Sequence, residues 1–172
     1  MQIADTERLR LRTIEVSDAA FYLELLNTAD FIAHIGDRKI RTLAQARESI
    51  RDGPLAMQAA RGHSIYLVER KADGIPIGMS GLIKRDSLDD VDLGYAFLPA
   101  YFGKGYAHEA ALAVLEHARL RIGLARVVAI TAPGNEASSK VLAKLGMRFD
   151  KMVHLTPADT GTRLYVIDLA TP

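Results

Sequence analysis

The sequence predicts an α/β (α+β) fold, a central mixed sheet that is mostly antiparallel, with about seven strands flanked by about four helices. Two observations predict it. The pattern order is strand, two helices, three strands, helix, strand, helix, two strands. That order lacks the regular strand–helix alternation of a doubly wound nucleotide-binding fold. The chain also shows no internal repeat, low-complexity tract or Pro/Ser-rich linker, so one domain is expected over residues 1–172.

Each element has a local reason. Arg8–Arg12 alternates strictly, as a strand with one wet face does. Ser17 and Asp18 look like a helix start, with Phe21, Leu25 and Leu26 following at helical spacing. A more polar helix is expected from about Leu43 to Arg51, ended by Gly53-Pro54, with a short helical piece over Leu55–Ala60. Ile65–Val68 and Ile75–Ile83 read as a hairpin about the turn Ala72-Asp73-Gly74, although Gly78 and Gly81 interrupt the second run. Val91, Leu93, Tyr95 and Phe97 alternate with Asp92, Gly94 and Ala96 in a further strand that Pro99 ends. The longest helix carries Ala107, Ala111, Val114, Leu115, Ala118 and Ile122 on one stripe and stops at Gly123. Val127–Ile130 is a short apolar run suited to a strand buried on both faces. Asn135 caps a helix with Ala137, Val141, Leu142 and Leu145 on its apolar side and Gly146 at its end. Strands near Arg148–Leu155 and Arg163–Leu169 close the chain.

Composition narrows the function classes. The 172 residues hold 22 Lys+Arg and 21 Asp+Glu, a net charge of +1. Residues 1–86 carry 13 bases and 12 acids, and the remainder 9 of each. With no basic half, neither nucleic acid nor an anionic membrane is expected as a partner. The absence of cysteine removes disulfide scaffolds, thiolate metal sites and any acyl-cysteine intermediate. The N-terminal MQIADTERLRLRT has no apolar stretch after its charges, and no segment approaches the roughly 20 apolar residues of a membrane span. A cytoplasmic protein is expected.

Two segments carry chemistry. In Ala96–Ala110, a strand ends and the turn Gly103-Lys104-Gly105 opens the longest helix. Glycines let the backbone turn sharply, and the helix's first N–H groups are unpartnered at the positive end of its dipole. That is a site for phosphate or pyrophosphate, to which Lys104 adds charge. The same residues are equally consistent with a turn that merely starts a helix. Neither GxxxxGK[ST] nor GxGxxG is present, since His108 stands at the third glycine position. In Asn135–Phe149 the Asn is a good cap, and Ser138 and Ser139 on their own read as surface hydroxyls. Both segments place a helix N-terminus just after a strand end, so both can face one cleft. The histidines at 34, 63, 108, 117 and 154 form no metal spacing, and no metal is expected.

Together these residues resemble the GNAT N-acetyltransferase superfamily, in its branch of ribosomal-protein N-terminal acetyltransferases. TERLRLR with SDAAFYLELLN is similar to that branch's opening strand and first helix. DLGYAFLPAYFGKGYAHEA resembles its glycine-loop stretch, and NEASSKVLAKLGMRF its Asn-x-x-Ser helix, one residue longer before Phe149.

The resemblance implies acetyl-CoA as cosubstrate and direct attack of a primary amine on the thioester. The acceptor would be a protein N-terminus or a small amine, and a homodimer is possible in such a family. It implies pyrophosphate on backbone N–H groups of Gly103, Lys104, Gly105, Tyr106 and Ala107, with Phe102 at the loop's start. The pantetheine would pair with backbone near Phe97 and Leu98, where the fourth strand splays from the fifth. Asn135 and Ser138 would line its far side and the sulfur. Many relatives carry a tyrosine acid seven residues after the Asn, where this chain has Leu142. Ser138 is then the best replacement, as acid or as hydrogen-bond donor to sulfur. Asp92 stands where the family often has an acid and is the candidate base, with a solvent-facing carboxylate as its alternative. Glu109 reads as structural. His34 falls in the region that lines the acceptor site in relatives. Two other readings stay open, a non-catalytic acyl-CoA-binding module and a transferase of longer acyl groups.

Overall fold

A computed structural model describes residues 1–170, and the last two residues of the expected 1–172 domain lie outside the described residues. The eight strands among the described residues form one sheet. They are β1 (Gln2–Asp5), β2 (Leu9–Thr13), β3 (Ile65–Arg70), β4 (Ile75–Ile83), β5 (Asp92–Phe97), β6 (Arg126–Thr131), β7 (Arg148–Val153) and β8 (Thr162–Asp168). Their spatial order is β1-β2-β3-β4-β5-β6-β8-β7. Every neighbouring pair is antiparallel except β5–β6, which is parallel. The sequence pattern missed β1, whose Gln2–Asp5 carries no long alternation.

The helices are α1 (Ala19–Leu26), α2 (Ala29–His34), α3 (Leu43–Ile50), α4 (Ala56–Arg61), α5 (Tyr106–His117) and α6 (Glu136–Lys144). α2 was not expected; Thr28 caps it by accepting from the Phe31 N–H. Glu15 and Asp18 form a reciprocal cap ahead of α1, one turn before the expected start. Gly53-Pro54 does not end α3. The chain runs on through a wide turn over Arg51–Leu55 straight into α4, with Pro54 inside it. A wide turn leaves room for the proline ring, which would clash in a regular helix.

Period-2 alternation sorts the sheet's two faces. Tyr66 and Val68 pack with Leu9, Leu11 and Phe97 beneath α5 and α6. Leu67, between them, packs with Met79 beneath α1 and α3. The glycines of β4 serve packing. A Cβ on Gly78 would strike the Phe97 ring at 2.4 Å, and one on Gly81 the Ser64 carbonyl at 2.2 Å. Among the described residues, no helix is long and apolar enough to cross a membrane.

Candidate functional site

The site begins where the sheet opens. β5 and β6 pair only at Asp92 and Val128, where the Val128 N–H donates to the Val91 carbonyl at 2.9 Å. Beyond that point a cleft of about 1020 Å³ runs across the molecule. The register decides which backbone groups face it. The Leu98 N–H donates to the Ile77 carbonyl at 3.0 Å, and Gly78 stands opposite Phe97. The groups of Phe97 itself therefore turn away from β4, and by alternation so do those of Tyr95. Leu98 is different. Its N–H is spent on Ile77, its carbonyl accepts from the Tyr101 N–H at 3.0 Å, and it does not line the cleft. Of the expected Phe97–Leu98 pair, only Phe97 offers free backbone, and Tyr95 joins it.

The glycine loop sits at the end of β5. Pro99–Tyr101 forms one tight turn, then Gly103 (φ +71°) and Gly105 (φ +79°) take left-handed conformations that a side chain disfavours. Gly105 is the N-cap of α5 and offers no side chain to its N–H groups. Among the described residues, none of the six N–H groups from Gly103 to His108 finds an intramolecular acceptor; the first to do so is that of Glu109, bonded to the Gly105 carbonyl at 3.1 Å. Phe102, Gly103, Gly105, Tyr106 and Ala107 line the cleft, while Lys104 does not. The Lys104 Nζ instead lies 5.8 Å from the Tyr101 ring.

The loop is braced from the turn between β1 and β2. Glu109 accepts from the Thr6 hydroxyl at 2.6 Å, the Arg8 N–H at 2.9 Å and the Arg8 Nε at 2.6 Å. Arg8 also donates to the Lys104 carbonyl at 2.8 Å, and its guanidinium lies over the Tyr106 ring. Burial opposes the charge on Glu109, but the bonds from Thr6 and Arg8 outweigh it and hold its carboxyl below the usual range. The structural reading of Glu109 stands.

α6 faces the loop across the cleft. Asn135 Oδ1 accepts from the Ser138 N–H at 3.2 Å, the cap its sequence position suggests. Ser138 Oγ lies 2.7 Å from Tyr95 Oη, and no other group among the described residues reaches it. Burial pushes the Tyr95 phenol up to about 12, so it stays protonated at any working pH. Leu142, at the position of the missing tyrosine, is 1% exposed and belongs to the core. Sequence reasoning passed over Tyr95. Its alternation opposite Asp92 put it on the α5–α6 side of the sheet, but only the fold brings Ser138 there.

Asp92 lies on the other face of β5. It is 1% exposed, which overturns the solvent-facing alternative. Its Oδ2 accepts from Arg85 Nε at 2.7 Å, whereas its Oδ1 has no partner among the described residues. Burial pushes its carboxyl up to about 6, against the opposing pull of Arg85. Arg85 was not anticipated; it stands in the loop between β4 and β5, where no pattern marks it.

The cleft continues past Asp92 between the sheet and the helices α1–α4. Tyr22, Leu26, Phe31, Ile40 and Met79 give it an apolar wall, with Asp30, His34 and Arg38 at its polar places. His34 thus lines the cleft, its Nε2 3.7 Å from Asp30 Oδ1. The arginines that follow α2 differ in role. Arg38 lines the cleft, while Arg41 is held by Asp37 and Asn27, each at 2.7 Å.

Comparison with known proteins agrees on the fold. The acetyltransferase (GNAT) domain family matches residues 8–148. The chain is 30% identical over 151 residues to the uncharacterized Bacillus subtilis protein YkkB, covering 86% of each chain. It is 25% identical over 162 residues to the uncharacterized N-acetyltransferase YoaA of the same organism, covering 93% of this chain and 90% of that one. A Bacillus anthracis GNAT-family acetyltransferase structure superposes with a TM-score of 0.79 at 26% identity, covering 98% of both chains. The RimL ribosomal L7/L12 alpha-N-protein acetyltransferase in complex with coenzyme A superposes with a TM-score of 0.85 at 16% identity, again over 98% of both.

Proposed function

The chain belongs to the GNAT acetyltransferase family and is an acetyltransferase, and from that premise we propose that it transfers acetyl from acetyl-CoA to a primary amine, either a protein N-terminus or a small molecule. One observation carries the reading. The unpartnered backbone N–H groups run from Gly103 to His108, and all of these residues but Lys104 line the same cleft as the free backbone edge of β5 and the buried carboxyl of Asp92. Such a row of donors at a helix N-terminus suits a pyrophosphate. The free edge at Tyr95 and Phe97 suits the amides of a pantetheine arm.

Acetyl-CoA supplies an activated thioester. The residues do the rest. The Phe97 N–H is placed to hold the developing oxyanion, a role worth several kcal/mol where such donors are fixed in advance. Asp92, with one oxygen free and its carboxyl near 6, is ionised at neutral pH and suited to take a proton from the incoming amine. Asn135 holds the first turn of α6, and Ser138, which lines the cleft, would offer its hydroxyl to the sulfur. The acceptor lies between the sheet and α1–α4, where the wall is largely apolar.

The test is a thermal-shift titration with acetyl-CoA, CoA and ADP, followed by assay of CoA release against an amine panel. Binding to the native state alone adds about 2.7 kcal/mol at 100 times Kd. A clear shift with turnover supports the transferase. Because Leu142 fills the tyrosine's place, a shift without turnover with any amine favours the non-catalytic acyl-CoA module. Affinity that grows with acyl length favours a longer acyl donor. No shift at millimolar acetyl-CoA ends the reading.

A further inference from the structure

We propose that Tyr95 is a positioning residue that fixes the Ser138 hydroxyl as a donor toward the departing sulfur. The inference rests on the transferase reading above and deepens it.

Two hydroxyls 2.7 Å apart share one hydrogen bond, and either can donate. The surroundings choose between them. The phenol has two acceptors within reach, both on Ser138: Oγ at 2.7 Å and the carbonyl oxygen at 3.3 Å. The 2.7 Å contact stands whichever hydroxyl donates, but a phenol is more acidic than a serine hydroxyl and is therefore the better donor of the two. With the phenol donating to Oγ, the Ser138 hydrogen has no acceptor among the described residues and is left to the cleft, which Ser138 lines. In the reverse arrangement the serine hydrogen would be spent on Tyr95, the phenol would turn to the Ser138 carbonyl at 3.3 Å, longer than the usual O–H···O bond, and the cleft would receive no donor from this pair.

The pair is held from both sides. Tyr95 stands on β5, beside Leu93 and Phe97 beneath α5 and α6. Ser138 stands in the first turn of α6, its N–H tied to Asn135. Leu142 cannot contribute, because its side chain is apolar and buried in the core. The chain thus reaches the sulfur's side of the cleft with a tyrosine from the sheet and a serine from the helix. No proton needs to leave Tyr95. A thiol's ordinary pKa is about 8.5, so the leaving thiolate gains from an aimed hydrogen bond and later takes its proton from water.

Tyr95→Phe removes the hydroxyl and keeps the ring, so folding is not at stake. The first readout is the thiol pKa of bound CoA, followed by thiolate absorbance against pH. An aimed donor lowers that pKa, and Tyr95→Phe and Ser138→Ala should each raise it by roughly half a unit to one unit, the size of one hydrogen bond. The second readout is kcat with saturating acetyl-CoA. Tyr95→Phe should lower it roughly fivefold to tenfold with little change in KM, and should cost less than twofold in a Ser138→Ala background. Unchanged thiol pKa and unchanged kcat in Tyr95→Phe would overturn the proposal while leaving the transferase intact. Additive losses in the double variant would overturn action through Ser138. No CoA binding by the unaltered chain would bring down the transferase reading and this proposal with it.

Discussion

The two helices that open onto the cleft begin in opposite ways. α5 starts at a left-handed glycine that supplies no cap, and its N–H groups are left open. α6 starts at Asn135, whose side chain takes up one of those donors. Both ends carry the positive pole of a helix dipole. The difference lies in where the donors go. At α5 they remain available to an anion. At α6 part of that capacity is used inside the chain, and hydroxyls on Ser138 and Ser139 take the first turn instead. One cleft therefore has a side suited to phosphates and a side suited to a sulfur and its neighbours. Their supports also differ. The α5 end is braced through Glu109 by Thr6 and the charged Arg8 from the turn between β1 and β2, and the α6 end by neutral tyrosine–serine pairs.

Asp92 lies under neither helix, so removing it tests whether chemistry and cofactor binding separate. Asp92→Asn should leave CoA affinity unchanged and lower kcat by about 10²–10⁴-fold, the ordinary range for a general base. The carboxyl must be ionised to act. With an acceptor amine of low pKa, kcat/KM should therefore rise with pH through about 6 and then level, and Asp92→Asn should lose that limb. A retained limb would move the base elsewhere.

The contrast between the two ends is broken most directly at Gly105. Gly105→Glu puts a carboxylate among the open N–H groups and should weaken CoA binding about 100-fold or more by calorimetry, since like charges brought together cost several kcal/mol. Gly105→Ala measures the backbone strain alone, about 1–2 kcal/mol of stability at φ +79°. If the two variants bind CoA alike, the anion belongs elsewhere.

Glu109 sharpens the comparison at the level of support. Glu109→Gln weakens the charged bonds from Thr6 and Arg8 and should cost about 2 kcal/mol, roughly 4–8 °C in Tm for a chain of this size. Because the folded pKa of Glu109 lies below its unfolded value, its contribution is complete above the unfolded pKa and is lost as pH falls through the folded one. The gap in Tm between the two proteins should therefore close below about pH 4. Burial holds the Tyr95 phenol up to about 12, far from that range, so an equal loss in Asn135→Ala would contradict the difference in support.

The same contrast shows what the sequence could reveal. The loop glycines, the Asn135 cap and the long stripe of α5 were legible because each depends on local chemistry that leaves a local pattern. Most strands were legible for the same reason. β1 and α2 were not, because four and six residues are too short to carry a period. Pro54 misled, because a wide turn absorbs a proline that would stop a regular helix. At the site, the turn Gly103-Lys104-Gly105 was legible in the chain itself, while Phe97 was named through the family resemblance. The spent backbone of Leu98, the burial of Asp92 with Arg85, and the meeting of Tyr95 with Ser138 depend on register and on contacts between distant segments, and no pattern along one segment holds them.

The smallest effect belongs to Asn135, and it tests the comparison most finely. Asn135→Ala removes the acceptor for the Ser138 N–H and should cost about 1 kcal/mol of stability, roughly 2–4 °C in Tm. It also frees a donor at the α6 end and makes that end more like α5. If an open helix end were sufficient to bind the anion, CoA or ADP affinity should rise in this variant. The expected result is no gain, with ADP affinity within about twofold by calorimetry, because α6 lacks the run of free N–H groups that two left-handed glycines create ahead of α5. A clear gain in ADP affinity would mean that the cap on α6, rather than the loop before α5, decides which side of the cleft receives the phosphates.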